Sequence, residues 1–118
     1  MTLGSIAAAL VARNAVARAR RTVDDDTRVL DRLVGWLRRL VAADDPTVGV
    51  AALARVEDAP ESHERLHDLA QVLDRRAIAD GGFRSDLEAL INEASATGVD
   101  VNSITQTAWG SQSSQPPT

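Results

Sequence analysis

Apolar residues recur every three or four positions through most of the first 98 residues. This period indicates amphipathic α-helices, since a half-buried strand would alternate at every second position. The repeat is clearest in residues 24–43. There the apolar face comprises Val29, Leu30, Leu33, Trp36, Leu37, Leu40 and Val41. We therefore predict an all-α fold, a small bundle of four or five helices.

The first half of the chain contains three of these predicted helices. The first spans residues 3–21 and is rich in alanine, the best helix former. Its apolar stripe is formed by Leu3, Ile6, Ala7, Leu10 and Val11. The acidic run at residues 24–26 suits the positive first turn of a second helix, which extends to about Ala43. Asp45 is predicted to cap a third helix that carries Pro46 in its first turn.

The second half of the chain contains the remaining predicted helices. The fourth spans Pro60 to about Ala79 and carries leucines at helical spacing. Asp80-Gly-Gly82 is interpreted as a break, because glycine favours turns. Ser85-x-x-Glu88 matches a capping box, so a last helix is predicted to start there. It ends near Gly98, a suitable residue for the position after a helix C-terminus.

A change in composition follows, and it divides the predicted organisation in two. Residues 1–98 are expected to form the helical bundle domain, and residues 99–118 a flexible, disordered polar tail. In the tail, β-branched and small polar residues alternate, which favours addition as a strand or self-association. In this binding mode the contacts would come from Ile104, Gln106 and Trp109.

Charge is unevenly distributed along the chain of 118 residues, whose net charge is −4. The first 21 residues contain Arg13, Arg18, Arg20 and Arg21 and no acid, whereas the rest of the chain is acidic. An acidic body argues against general nucleic-acid binding, because that function needs a basic face. The four arginines could bind anionic lipid or nucleic acid, but we favour a solvated helix face, or pairing with the acids at residues 24–26 and in the rest of the chain.

One motif carries potential metal chemistry. His63-Glu64-Arg65-Leu66-His67 matches the H-E-x-x-H pattern of zinc hydrolases, with Glu64 as the base and Glu88 or Glu93 as a third ligand in principle. An exposed helix face explains the same residues, and this is the interpretation that we favour. The zinc-dependent hydrolase is the alternative.

The sequence contains no other recognisable catalytic or cofactor-binding pattern. Cysteine is absent, which excludes disulfides and cysteine-based zinc sites. Neither a Ser/His/Asp arrangement nor a glycine-rich phosphate loop is present. We therefore predict no catalytic residue, no cofactor, no resident metal and no small-molecule substrate. No apolar run approaches the ~18 residues of a membrane span, and a cytoplasmic location is the default expectation.

The spacing of core residues from Asp45-Pro46 to Ile91 resembles small actinobacterial helical modules that accompany conflict or signalling effectors. The matching residues are Val48-x-x-Ala-Ala-Leu53-x-x-Val56-x-x-x-Pro60, Leu66-x-x-Leu69-x-x-x-Leu73 and Asp80-x-x-Phe83-x-x-x-Leu87-x-x-Leu90. Residues 102–115 resemble the amyloid-like signalling motifs found beside such modules. This resemblance implies a bacterial adaptor and supplies no active site.

Together these observations predict a non-enzymatic protein-interaction or adaptor module, with a role in bacterial signalling or defence as the resemblance implies. The expected partner is another protein or a second copy of the chain. The two alternatives are the zinc hydrolase and a basic-helix contact with membrane or nucleic acid.

Overall fold

The computed structural model describes residues 2–21 and 25–113, and the residues in these ranges form helices and turns without any strand. Six helices follow in order: α1 Leu3–Ala19, α2 Asp25–Asp44, α3 Val48–Asp58, α4 His63–Ala79, α5 Gly81–Ala96 and α6 Val101–Ser113. The predicted all-α fold is confirmed. The sixth helix exceeds the predicted four or five, because it forms in the segment that was expected to be a tail.

Helix α1 lies at the centre of the bundle and contacts each of the other five helices. The sequence predicted a single apolar stripe, but residues 7–12 are buried on all sides of the helix, including Ala8, Ala9 and Ala12. The second half of α1 is partly exposed, at Arg13 and Arg18 among others. A helix that is buried on all sides needs small side chains wherever neighbouring backbones approach closely. The alanine content of α1, interpreted above only as helix propensity, therefore also determines its central position.

Helix α4 packs tightly against α1 at Gly4. A Cβ atom added to Gly4 would lie 2.3 Å from the Ala70 carbonyl oxygen and 2.6 Å from Asp74 Oδ1. The Asp74 carboxylate also accepts hydrogen bonds from the Gly4 N–H, at 2.8 Å, and from Thr2 Oγ1, at 2.7 Å. This carboxylate therefore caps the positive N-terminus of α1 from the neighbouring helix.

Capping side chains determine where α4 and α5 begin. Asp45 Oδ1 accepts a hydrogen bond from the Val48 N–H at 3.0 Å, but α3 begins at Val48 with Thr47 as its N-cap. Pro46 therefore lies in the turn before α3, whereas the sequence had predicted it in the first turn of the helix. Ser62 accepts from the Arg65 N–H, so α4 starts at His63 and not at Pro60.

The start of α5 corrects the predicted capping box at Ser85. Asp80 Oδ1 accepts from the backbone N–H groups of Gly82 and Phe83, and the helix therefore begins four residues earlier, at Gly81. Asp80, Gly81 and Gly82 were interpreted as a break, but they form the N-cap and the first turn of α5. The capping aspartate offsets the low helix propensity of the two glycines.

The end of α5 leads directly into α6 through a Schellman motif. Gly98, predicted to follow a helix C-terminus, has a φ of 92°. The Val99 N–H donates to the Ala94 carbonyl at 3.0 Å, and the Gly98 N–H donates to the Ser95 carbonyl at 3.2 Å. The Val99 side chain is 5% exposed. Asp100 Oδ1 then accepts from the Ser103 N–H, which caps the next helix.

Helix α6 corrects the prediction of a flexible tail that starts at residue 99. Residues 101–113 are helical, and α6 packs against α1. The alternation interpreted as strand-like was wrong, because Val101, Ile104, Thr105 and Ala108 recur at helical spacing on the packed face. Residues 114–118, the remainder of the predicted tail, lie outside the described ranges.

Ion pairs join the outer helices. The Arg76 guanidinium binds the Asp44 carboxylate through two nitrogens, linking α4 to the end of α2. The hydrogen bond from Arg76 holds the pKa of Asp44 below its usual value of 3.8. Arg38 pairs with Glu57 between α2 and α3. Of the helices that the structure describes, none has the length and apolar character needed to cross a membrane.

Candidate interaction groove

A groove of about 340 Å³ lies between α1, the start of α4 and α6. Its lining comes from three parts of the sequence that are distant from one another. The lining residues are Ala9, Ala12, Arg13, Val16, Arg20, Pro60, Glu61, His63, Leu66, Ile104, Thr107 and Ala108. The groove thus brings together residues from three features that were singled out separately in the sequence: Arg13 and Arg20 of the arginine cluster, His63 of the histidine motif and Ile104 of the predicted tail.

The floor of the groove is apolar. Ala9, Ala12 and Val16 follow one another at helical spacing along α1, and Ile104 and Ala108 stand beside them on α6. The alanines are short, so the facing helix surfaces leave a depression where longer side chains would have filled the space. An apolar depression of this kind can bury side chains of a partner.

The rim of the groove is charged. Arg13 lies on α1, and Arg20 is the C-cap residue directly after it, seven positions later. The helical rise places their backbones about 10.5 Å apart along the axis of α1. Both are exposed, and neither forms an ion pair with any side chain that the structure describes. Glu61 and His63 line the α4 side. The positive charge is therefore concentrated on the α1 side of the groove.

Helix α6, which forms one wall, is held against α1 by Trp109. The indole Nε1–H donates a 3.0 Å hydrogen bond to the Ser5 carbonyl oxygen. Thr105 is 5% exposed and donates from Oγ1 to the Val101 carbonyl at 2.7 Å, which satisfies its hydroxyl within the helix. Trp109 thus anchors the wall, although the sequence had suggested a partner contact from a free tail.

The three tail residues chosen for binding consequently have different environments. Ile104 lines the groove, Trp109 is half-buried against the core, and Gln106 is exposed on α6. None of them lies in an extended segment, because α6 spans all three. The predicted contact as an added strand would require this helix to unfold.

The other two arginines of the N-terminal cluster lie away from the groove lining. Arg18 approaches Asp31 of α2, with 4.0 Å between Nε and Oδ1. Arg21 is exposed and has a φ of 54°, beyond the end of α1. The cluster of four arginines in the sequence is therefore divided between different surroundings.

The H-E-x-x-H motif lies on the first turns of α4. His63 is half-buried and lines the groove, whereas His67 and Glu64 are exposed. Glu88 and Glu93, considered as a third ligand, are exposed on α5. Within residues 2–21 and 25–113, no three His, Cys, Asp or Glu side chains are placed to hold one metal ion.

A second groove lies between α3 and α4 and has a volume of about 440 Å³. Val48, which is 56% exposed, lines it together with Ala51 and Val72, and Arg55 and Arg75 carry its positive charge. This groove is larger, but it contains none of the residues that the sequence had singled out for binding.

Sequence reasoning missed both the groove and the helix that completes it. The small residues on the groove floor were interpreted as helix formers, and Ala108 was interpreted only as part of the strand-like alternation in the tail. One signal was available: Gly98, Val99 and Asp100 combine a helix C-terminal glycine, the apolar residue of a Schellman motif and an N-cap. That combination predicts a new helix.

Comparisons of this chain with protein-family models, with curated proteins and with solved structures gave no match.

Proposed function

We propose that this protein is a non-enzymatic protein-interaction module that binds a segment of a partner protein in the groove between α1, α4 and α6. The observation that carries the proposal is the convergence of Arg13, Arg20 and Ile104 on one apolar depression. Ile104 is 91 positions from Arg13 in the sequence, and the docking of α6 on α1 brings it beside the two arginines.

The size of the groove supports a short segment as the bound element. A volume of about 340 Å³ lies at the lower end of the range for cavities that take ligands, roughly 300–1,000 Å³. A complete α-helix, about 10–12 Å in diameter with its side chains, would not fit inside. A few apolar side chains projecting from a partner segment would fill the space.

The resemblance described above supports a proposal for the cellular role. We propose an adaptor that acts in the cytoplasm, in bacterial signalling or defence. Such an adaptor needs a binding surface and no catalytic group.

The proposal can be tested by selecting peptides from a phage-displayed random 12-residue library on the full chain. Thr107→Trp serves as the blocked variant, because Thr107 is exposed and lines the groove, so an indole there would occupy it. Gln106→Trp is the matched control, since Gln106 is exposed on the same helix and does not line the groove. Circular dichroism establishes that both variants fold.

We expect peptides that bind the wild-type chain and the Gln106→Trp variant but lose binding to the Thr107→Trp variant. If selection yields no peptide, or only peptides that bind all three proteins equally, the groove is not the interaction site and the proposal is wrong.

A further inference from the structure

We infer that the partner segment carries two acidic residues, spaced to reach Arg13 and Arg20, with an apolar residue between them. The inference rests on the proposed function, because it specifies what occupies the same groove. It begins from the two guanidinium groups, which border an apolar floor and have no ion-pair partner among the described side chains.

The spacing of the arginines sets the spacing of the acids. Arg13 and Arg20 are two helical turns apart, about 10.5 Å along α1. A segment in the polyproline II conformation rises about 3.1 Å per residue with three residues per turn, so positions i and i+3 project from one face about 9 Å apart. The expected pattern is therefore an acid, two intervening residues of which one is apolar, and a second acid.

The remaining charges near the groove orient the segment. Glu61 and His63 line the α4 side, and Asp100 lines a smaller cavity that Arg13 also borders. An acid that faced Glu61 would be repelled, whereas an acid that faced α1 would meet a guanidinium. The acidic residues of the partner must therefore face α1, with its apolar side chain on the floor.

An acidic peptide fits these observations better than a membrane or a nucleic acid. Both of those ligands present many negative charges and are bound by extended basic surfaces. Here only two arginines line the groove, Arg18 approaches Asp31, and the chain beyond residue 21 is acidic. Two carboxylates beside an apolar side chain match two guanidiniums beside an apolar floor.

The test uses the peptides whose binding the Thr107→Trp substitution abolishes. We expect their sequences to be enriched in two acids three residues apart. Binding of fluorescein-labelled peptides, measured by anisotropy, should weaken about two- to five-fold in Arg13→Gln and again in Arg20→Gln, as expected for partly exposed charge pairs. Arg18→Gln, which removes the same charge from the same helix outside the groove, should leave the affinity unchanged.

The outcomes separate the inference from the proposed function. Groove-dependent peptides without an excess of acids, or with equal affinity for all three glutamine variants and the wild type, would overturn the inference and leave the proposed function intact. Absence of any groove-dependent peptide would overturn both. Binding to phosphatidylserine vesicles that Arg13→Gln and Arg20→Gln abolish, with no acidic peptide selected, would assign the arginine pair to lipid and overturn the inference.

Discussion

Replacing Gly4 by alanine should destabilise the protein, because the backbone of α4 leaves no room for a side chain at this residue of α1. The added Cβ would lie 2.3 Å from the Ala70 carbonyl oxygen, which is a backbone atom and cannot rotate away. To restore ordinary van der Waals contact, α4 would have to move by about 1 Å. That movement would also stretch the hydrogen bond from the Gly4 N–H to Asp74.

The expected cost follows from the geometry. Overpacking of a well-packed site costs about 1–3 kcal/mol. Alanine has a higher helix propensity than glycine, and this gain offsets at most about 1 kcal/mol of the cost. We expect a net loss of about 1–2 kcal/mol in the free energy of unfolding, or a melting temperature lower by about 4–8 °C.

Gly35→Ala is the matched control. Gly35 lies within α2, and a Cβ there would meet no atom within 4 Å. This substitution should therefore stabilise the protein by about 0.5–1 kcal/mol through helix propensity alone. Urea unfolding followed by circular dichroism at 222 nm measures both variants. If Gly4→Ala is as stable as the wild type, or if both substitutions shift the urea midpoint in the same direction, α1 and α4 do not pack tightly at Gly4.

Three further predictions concern the wall of the groove, an ion pair and the histidine motif. Trp109→Phe removes the indole hydrogen bond and should lower the free energy of unfolding by about 0.5–1.5 kcal/mol. Amide hydrogen exchange should become faster than in the wild type, and more so in α6 than in α4; an equal increase in both helices would contradict the anchoring role. The lowered pKa of Asp44 means that its pair with Arg76 stabilises the fold above pH 3.8 and that this contribution is lost as the pH falls through the folded pKa. Asp44→Asn should therefore lower the urea midpoint at pH 7 and approach the wild type in acid; a difference independent of pH would refute the pairing. Mass spectrometry of the purified protein should find far less than one zinc ion per chain. One zinc ion per chain in the wild type, and none after His63 or His67 is replaced, would favour the hydrolase.

The features that could be predicted from the sequence are those that depend on residues close to one another along the chain. Helix α2 has a broad apolar face, and its predicted end lies within one residue of the observed one. The C-terminal glycine of α5 was also identified correctly, because a left-handed conformation at that position favours glycine whatever surrounds it. Such features depend on residues within a few positions of one another.

Features that depend on distant contacts were missed. Most of residues 101–109 are Val, Asn, Ser, Ile and Thr, which have modest helix propensity, and their pattern also fits a two-residue period. Helix α6 is stabilised by packing against α1 and by the hydrogen bond from Trp109 to the Ser5 carbonyl oxygen. Neither contact can be predicted from the local sequence.

The central position of α1 was missed for a related reason. An alanine-rich segment is typical of a weakly amphipathic surface helix, because alanine contributes little to an apolar face. Its small side chains instead allow five neighbouring helices to approach, and this property appears only when those neighbours are in place. The groove, which depends on α1 and α6 together, could not be predicted from either segment alone.

The most direct test of the account is an NMR titration of the ¹⁵N-labelled full chain with an acidic peptide selected on the groove. We expect the largest amide shifts at groove residues such as Val16, Leu66 and Thr107. In Arg13→Gln the same shifts should be smaller at the same subsaturating peptide concentration, because the affinity falls about two- to five-fold. Shifts centred on the α3–α4 groove, around Val48 and Val72, would contradict the account.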